Sequence, residues 1–133
     1  RERVRAEEAS EGYKRKVLAK RKGAVDYQGM LVKGLRLYCD ILLLRNKAKE
    51  GVSIVKILHK ERKKLTSILK KNAPELISKS TPPAEDYRRE GNLHAAAGRN
   101  GPAQKAYSKC QKLAPNHVAA AYEAVVAIGQ DKK

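Results

Sequence analysis

Residues 84–117 read AEDYRREGNLHAAAGRNGPAQKAYSKCQKLAPNH, and this stretch decides the fold. Gly98-Arg99-Asn100-Gly101 is a turn signal, and Pro102 restarts a helix because its missing N–H costs nothing in a first turn. On either side, large and small residues recur at fixed spacing. Before the turn runs Tyr87-x2-Glu90-Gly91-x2-His94; after it runs Ala103-x3-Tyr107-x2-Cys110, with Pro115 to close. Antiparallel helices approach closely only where side chains are small, so Gly91 and Ala103 mark a crossing. Tyr87 and Tyr107 fill the space beside it, and Pro115 stops the second helix.

This spacing resembles the 34-residue tetratricopeptide repeat, with Glu90 where the family has Leu and His94 where it has Tyr. The resemblance covers residues 84–131 and implies a helical hairpin that binds a partner helix or peptide. Repeats of this family line their concave face with the first helix of each pair. It follows that Glu85, Arg88, Asn92 and Ala95 face a ligand, joined by Tyr122 and Val126 from the next helix. Arg88 and Asn92 match the cation and Asn with which chaperone-binding members grip a terminal carboxylate. Glu123 stands where that clamp needs Asn, and an acid there repels a carboxylate, so chaperone tails are not the expected ligand. One repeat cannot bury its apolar face alone. Residues 116–133 are expected to cap it on one side, and the first 80 residues or another chain to cover the other.

Upstream, the chain is expected to be helical too. Residues 1–77 read as a basic region of three helices: about 2–22, 30–49 and 52–71, with Gly23 and Gly29 as breaks. The second, with Leu31, Leu35, Tyr38, Cys39 and Leu42 at helical spacing and Ile41, Leu43 and Leu44 on other faces, is apolar on most sides and reads as a central helix, the core of the basic half. In the third, Ile54, Ile57, Leu58, Leu65, Ile68 and Leu69 share one arc, with Glu61 among them. Lys56, Lys60, Lys63, Lys64, Lys70 and Lys71 take the opposite arc. That arc is either a ridge for phosphates or anionic headgroups or a solvated face built of good helix formers. Residues 78–83 read as a linker, with Thr81 as N-cap and Pro82 at the first helical position. Ala24, Asp26, Gly34 and Tyr38 also resemble a microtubule-interacting-and-trafficking three-helix domain, with Gly34 in place of the usual Ala. That resemblance implies binding of a short helical tail of a membrane-remodelling protein.

The expectation is therefore an all-α chain of about six helices, a repeat-like half packed on or beside a basic half. Starting at Arg1, it reads as a piece of a longer protein. Its 133 residues hold six Tyr and neither Trp nor Phe, so Leu, Ile, Val and Ala must build the core. No apolar run reaches the length of a membrane span. Cys39 and Cys110 stand outside any CxxC and read as buried reduced thiols in an intracellular setting, cytoplasmic or nuclear. His59, His94 and His117 have no acid or Cys at a useful sequence spacing, and His59 reads as a surface residue. Neither a nucleotide loop nor a metalloprotease motif occurs, so no enzyme, cofactor or metal site is expected. The net charge of +16 is uneven: residues 1–80 carry 22 Lys and Arg against 9 Asp and Glu, and residues 81–133 carry 8 against 5. Such a field attracts RNA or DNA, an anionic membrane surface or an acidic protein. Two functions follow: an adaptor that binds another protein through the repeat-like surface, or a ribonucleoprotein subunit whose basic helices sit on phosphates.

Overall fold

Two residues in the left-handed region, Asn46 at φ 58° and Gly98 at φ 78°, set the corners of the fold. In the computed structural model, which describes residues 2–79 and 83–115, each ends a helix with the same pair of hydrogen bonds. Lys47 N–H donates to Leu42 O at 2.8 Å and Asn46 N–H to Leu43 O at 3.3 Å; Arg99 N–H donates to His94 O at 2.8 Å and Gly98 N–H to Ala95 O at 3.1 Å. These satisfy carbonyls that a helix end otherwise leaves bare, and the left-handed residue turns the chain back on itself. The result is two helical hairpins. α1 (Glu2–Leu44) and α2 (Ala48–Asn72) form the first; α3 (Pro83–Ala96) and α4 (Asn100–Leu113) form the second. A 3-10 helix over Pro74–Lys79 follows α2.

The all-α expectation holds, and the described residues contain four α-helices and no strand. The helix count of the basic half does not: Gly23 and Gly29 sit inside one 43-residue α1. An exposed glycine costs a helix about 1 kcal/mol relative to Ala, and neither one is pressed by a neighbour. That cost is met because α1 is packed along α2, and packing rather than propensity carries most helices. Asn46 also moves the corner, so α2 begins at Ala48 rather than near Val52. Pro102 is the third residue of α4, not the first. Ser80, Thr81 and Pro82 lie outside the described residues, as do Tyr122, Val126 and the expected cap over 116–133.

One core joins the hairpins. Val32 and Cys39 of α1, Val52, Val55 and Leu58 of α2, and Leu93 of α3 form a single buried cluster. Gly51 makes room for the α3 side chain, since a Cβ there would overlap Leu93. The second hairpin closes in the same way at Gly91, where a Cβ would overlap the Tyr107 ring. Ala103 beside it is fully buried, and Ala84 packs with Cys110. The expected apolar arc of α2 is rotated: Val52, Val55, Leu58, Arg62 and Leu69 are buried, whereas Ile57 is 45% exposed. α1 is not covered all round either. It buries Gln28, Val32, Cys39 and Leu42 towards its neighbours and leaves its outer face open.

A lysine ridge above a buried ion network

α2 separates its charges. Lys56, Lys60, Lys63, Lys64, Lys70 and Lys71 are all exposed, and no ion pair joins any of them to a carboxylate among the described residues. At 1.5 Å per residue, Lys56 to Lys71 spans about 22 Å of helix. The two acids of α2 do not neutralise this face. Glu50 lies in the first turn, and Glu61 is turned towards α1, where Gln28 Nε2 donates to its backbone O at 2.9 Å and to Oε2 at 2.7 Å. An amide of α1, rather than a basic neighbour, holds the acid in the arc.

Beneath the ridge lies a network that sequence spacing did not reveal. Asp86, in the first turn of α3, is fully buried and meets three arginines from three helices. Arg36 of α1 grips it with two bonds, Nε to Oδ1 at 2.8 Å and Nη2 to Oδ2 at 2.9 Å. Arg62 of α2 donates to Oδ2 at 3.2 Å, and Arg89 of α3 to Oδ1 at 3.1 Å. Arg89 also bonds Asp40 of α1 at 3.1 Å. Burial alone would push the Asp86 carboxyl up. The hydrogen bonds and charges of Arg36 and Arg62 outweigh it and hold the group below the ordinary carboxylate range.

His59 belongs to this network and is not a surface residue: its side chain is 12% exposed and its ring stacks on Tyr87 at 4.5 Å. Arg62 Nη1 lies 2.7 Å from Nδ1, and Glu90 Oε1 lies 2.8 Å from Nε2. A guanidinium only donates, so Nδ1 accepts and Nε2 carries the proton that goes to Glu90. The bond from His59 depresses the Glu90 carboxyl against the upward push of burial. Both ring nitrogens are spent, which leaves no free nitrogen for proton transfer to a substrate. Arg62 completes the stack 5.3 Å from the Tyr87 ring centre, and Lys109 of α4 lies 5.5 Å from it. A sequence signal that could have pointed to this face is the 4-3-4 spacing of Asp86, Glu90, Leu93 and Ala97, which marks a single helix face but names no partner on α1 or α2.

The residues expected to face a ligand on α3 sit differently from one another. Glu85 and Arg88 pair at 3.7 Å and are half-buried. Asn92 Oδ1 accepts from Tyr107 Oη at 2.8 Å, and Ala95 packs on Ala103 and Tyr107, so both turn towards α4. His94 is buried, and burial lowers its pKa; its Nδ1 has no hydrogen-bond partner among the described residues. Cys39 and Cys110 are both buried, and burial pushes the Cys39 thiol up to about 11. No described helix is long and apolar enough to cross a membrane, and no described group of His, Cys, Asp and Glu could hold a metal ion.

Comparison with known proteins returns no matching family model, curated protein or solved structure.

Proposed function

We propose that this chain is a non-catalytic helical module that binds the phosphate backbone of a nucleic acid along the exposed lysines of α2. The observation that carries the reading is charge sorting. Asp40, Glu61, Asp86 and Glu90 are engaged by Arg89, Gln28, Arg36, Arg62 and His59, while six lysines of one helix face solvent unpaired among the described residues. Cations aligned along a rigid helix without interleaved aromatic side chains suit phosphates and not base edges. A membrane surface fits less well. An interfacial helix must bury its apolar face in the headgroup region, and that face of α2 is already packed against α1 and α3. The reading through the tetratricopeptide-like positions has a narrower footing, because Asn92 and Ala95 are engaged with α4.

The test is a salt series with single-stranded RNA, duplex DNA and anionic vesicles. Each neutralised phosphate contributes about −0.7 to −0.9 to the log–log slope, so four contacts give about −3. Replacing Lys56, Lys60, Lys63 and Lys64 by Gln should remove most of that slope and leave helicity intact, since all four are exposed. Unchanged nucleic-acid binding by this variant, or binding to vesicles alone, refutes the proposal.

A further inference from the structure

The outer face of α1 carries an apolar stripe that neither hairpin covers. Tyr27, Met30, Gly34, Leu37, Ile41 and Leu44 follow the 3-4-3-4-3 spacing of a coiled-coil seam. Tyr27 is 70% exposed, Met30 73%, Leu37 61%, Ile41 42% and Leu44 83%. Gly34 has nothing within 4 Å of where its Cβ would be, so the seam has a notch at its middle. With roughly 150–250 Å² on each aromatic side chain and somewhat less on the others, several hundred Å² of apolar surface lies open per chain. That is the order of the ~800 Å² per partner found in a standard interface.

We infer that this seam is the interface of an antiparallel dimer, its occupant being α1 of a second copy. The inference goes beyond nucleic-acid binding and does not depend on it. Run antiparallel about the midpoint of the stripe, the seam is complementary to itself. Tyr27 meets Leu44 of the second copy, Met30 meets Ile41, and the Gly34 notch receives Leu37. The flanking positions agree. Lys33 comes opposite Asp40 of the second copy, whose carboxylate side chain is 47% exposed and has room for a further partner beside Arg89. On the other flank Leu31 meets Tyr38, itself 46% exposed. A parallel pairing loses all of this. It stacks Gly34 on Gly34 in an empty layer, and it places Lys16 and Lys20, which continue the same stripe, against their own copies. In the antiparallel arrangement those lysines run past the end of the partner seam.

Sedimentation equilibrium of the intact chain tests this. A dimer is expected, and its association should tighten as salt rises, because screening weakens repulsion between two chains of +16 each. Leu37→Glu should yield monomer at the same concentration with an unchanged helical spectrum, since Leu37 is largely exposed, and with a urea midpoint that no longer rises with protein concentration as the parent's does. Mixed Met30→Cys and Ile41→Cys chains should become disulfide-linked under mild oxidation, whereas Ile41→Cys alone should not link to itself. A monomer at all salt concentrations overturns the proposal. So does a dimer that survives Leu37→Glu, self-linking of Ile41→Cys, or a monomer that takes up a synthetic acidic heptad peptide on this seam.

Discussion

Asp86→Ala is the perturbation with the largest expected consequence for the fold. The wild-type carboxylate is fully buried and accepts four hydrogen bonds, two from Arg36 and one each from Arg62 and Arg89. Its removal leaves Arg62, 7% exposed at the side chain, and Arg36, 13% exposed, as buried cations without their counter-charge. Breaking a buried pair from one side costs about 3–5 kcal/mol, because the survivor stays desolvated. Domains of this size are stable by about 5–15 kcal/mol, so the variant should lose a large share of its stability. Urea denaturation followed by far-UV dichroism measures it. Arg36→Met should cost less, since Asp86 keeps Arg62 and Arg89. Replacing the buried members together, Asp86→Leu with Arg36→Met and Arg62→Leu, should recover part of the loss, because apolar substitution of buried ion partners is often neutral or better and the more exposed Arg89 keeps Asp40. If Asp86→Ala melts within about 0.5 kcal/mol of the parent, the value expected of an ordinary surface change, the network is not holding the three helices and the argument fails.

Gly51→Leu and Gly91→Leu should each cost about 1–3 kcal/mol by overpacking, against Leu93 and Tyr107 respectively; unchanged denaturation midpoints would contradict the close approaches. Gly98→Ala should cost about 1 kcal/mol through its positive φ, again read by denaturation. The pH dependence has a definite sign. Asp86 and Glu90 titrate lower in the folded chain than the 3.8 and 4.5 ordinary for free carboxyl side chains, so the stability they contribute is present above those values and lost as pH falls below them. His94 is also depressed from 6.5, which adds a loss of stability on acidification below about that pH; a melting temperature that rises as pH falls from 7 towards 5 would refute the histidine's part, and one that rises as pH falls further below about 4 would refute that of the carboxylates. Cys39, raised to about 11, should alkylate much more slowly at pH 8 in the native chain than in urea.

The hairpin of α3 and α4 was readable because its geometry depends on single small residues: Gly91 admits Tyr107, and Gly98 takes the left-handed corner. The first hairpin was harder. Gly23 and Gly29 look like breaks, and what keeps α1 continuous is α2 alongside, which no local pattern announces. Asn46 was missed although Asn is the usual substitute for Gly at a helix end. The lysine face of α2 was legible because exposed positions obey helical periodicity without reference to anything else. The ion network was not, because Arg36, Arg62 and Asp86 are separated by up to 50 residues and look like any other charges in a basic sequence. His59 misled for the same reason: its partner Glu90 is 31 residues away.

The network and the ridge are two sides of one allocation of charge. A carboxylate buried at the helix junction cannot screen a lysine at the surface, so each acid spent on Arg36, Arg62 or Arg89 leaves the outer field more positive. Lys residues suit the outside and Arg the inside for a chemical reason. A guanidinium forms paired bonds to one carboxylate and tolerates burial, whereas an ammonium is strongly hydrated and keeps its freedom at the surface. The chain follows this division along a single helix: Arg62 is the buried cation of α2, and its neighbours Lys60, Lys63 and Lys64 are exposed. Arg62→Lys should therefore weaken the fold while leaving the net charge unchanged, and Lys63→Arg should leave the fold alone. Equal effects of the two exchanges on stability would mean that position on the helix, and not the chemistry of the cation, decides which charges face in.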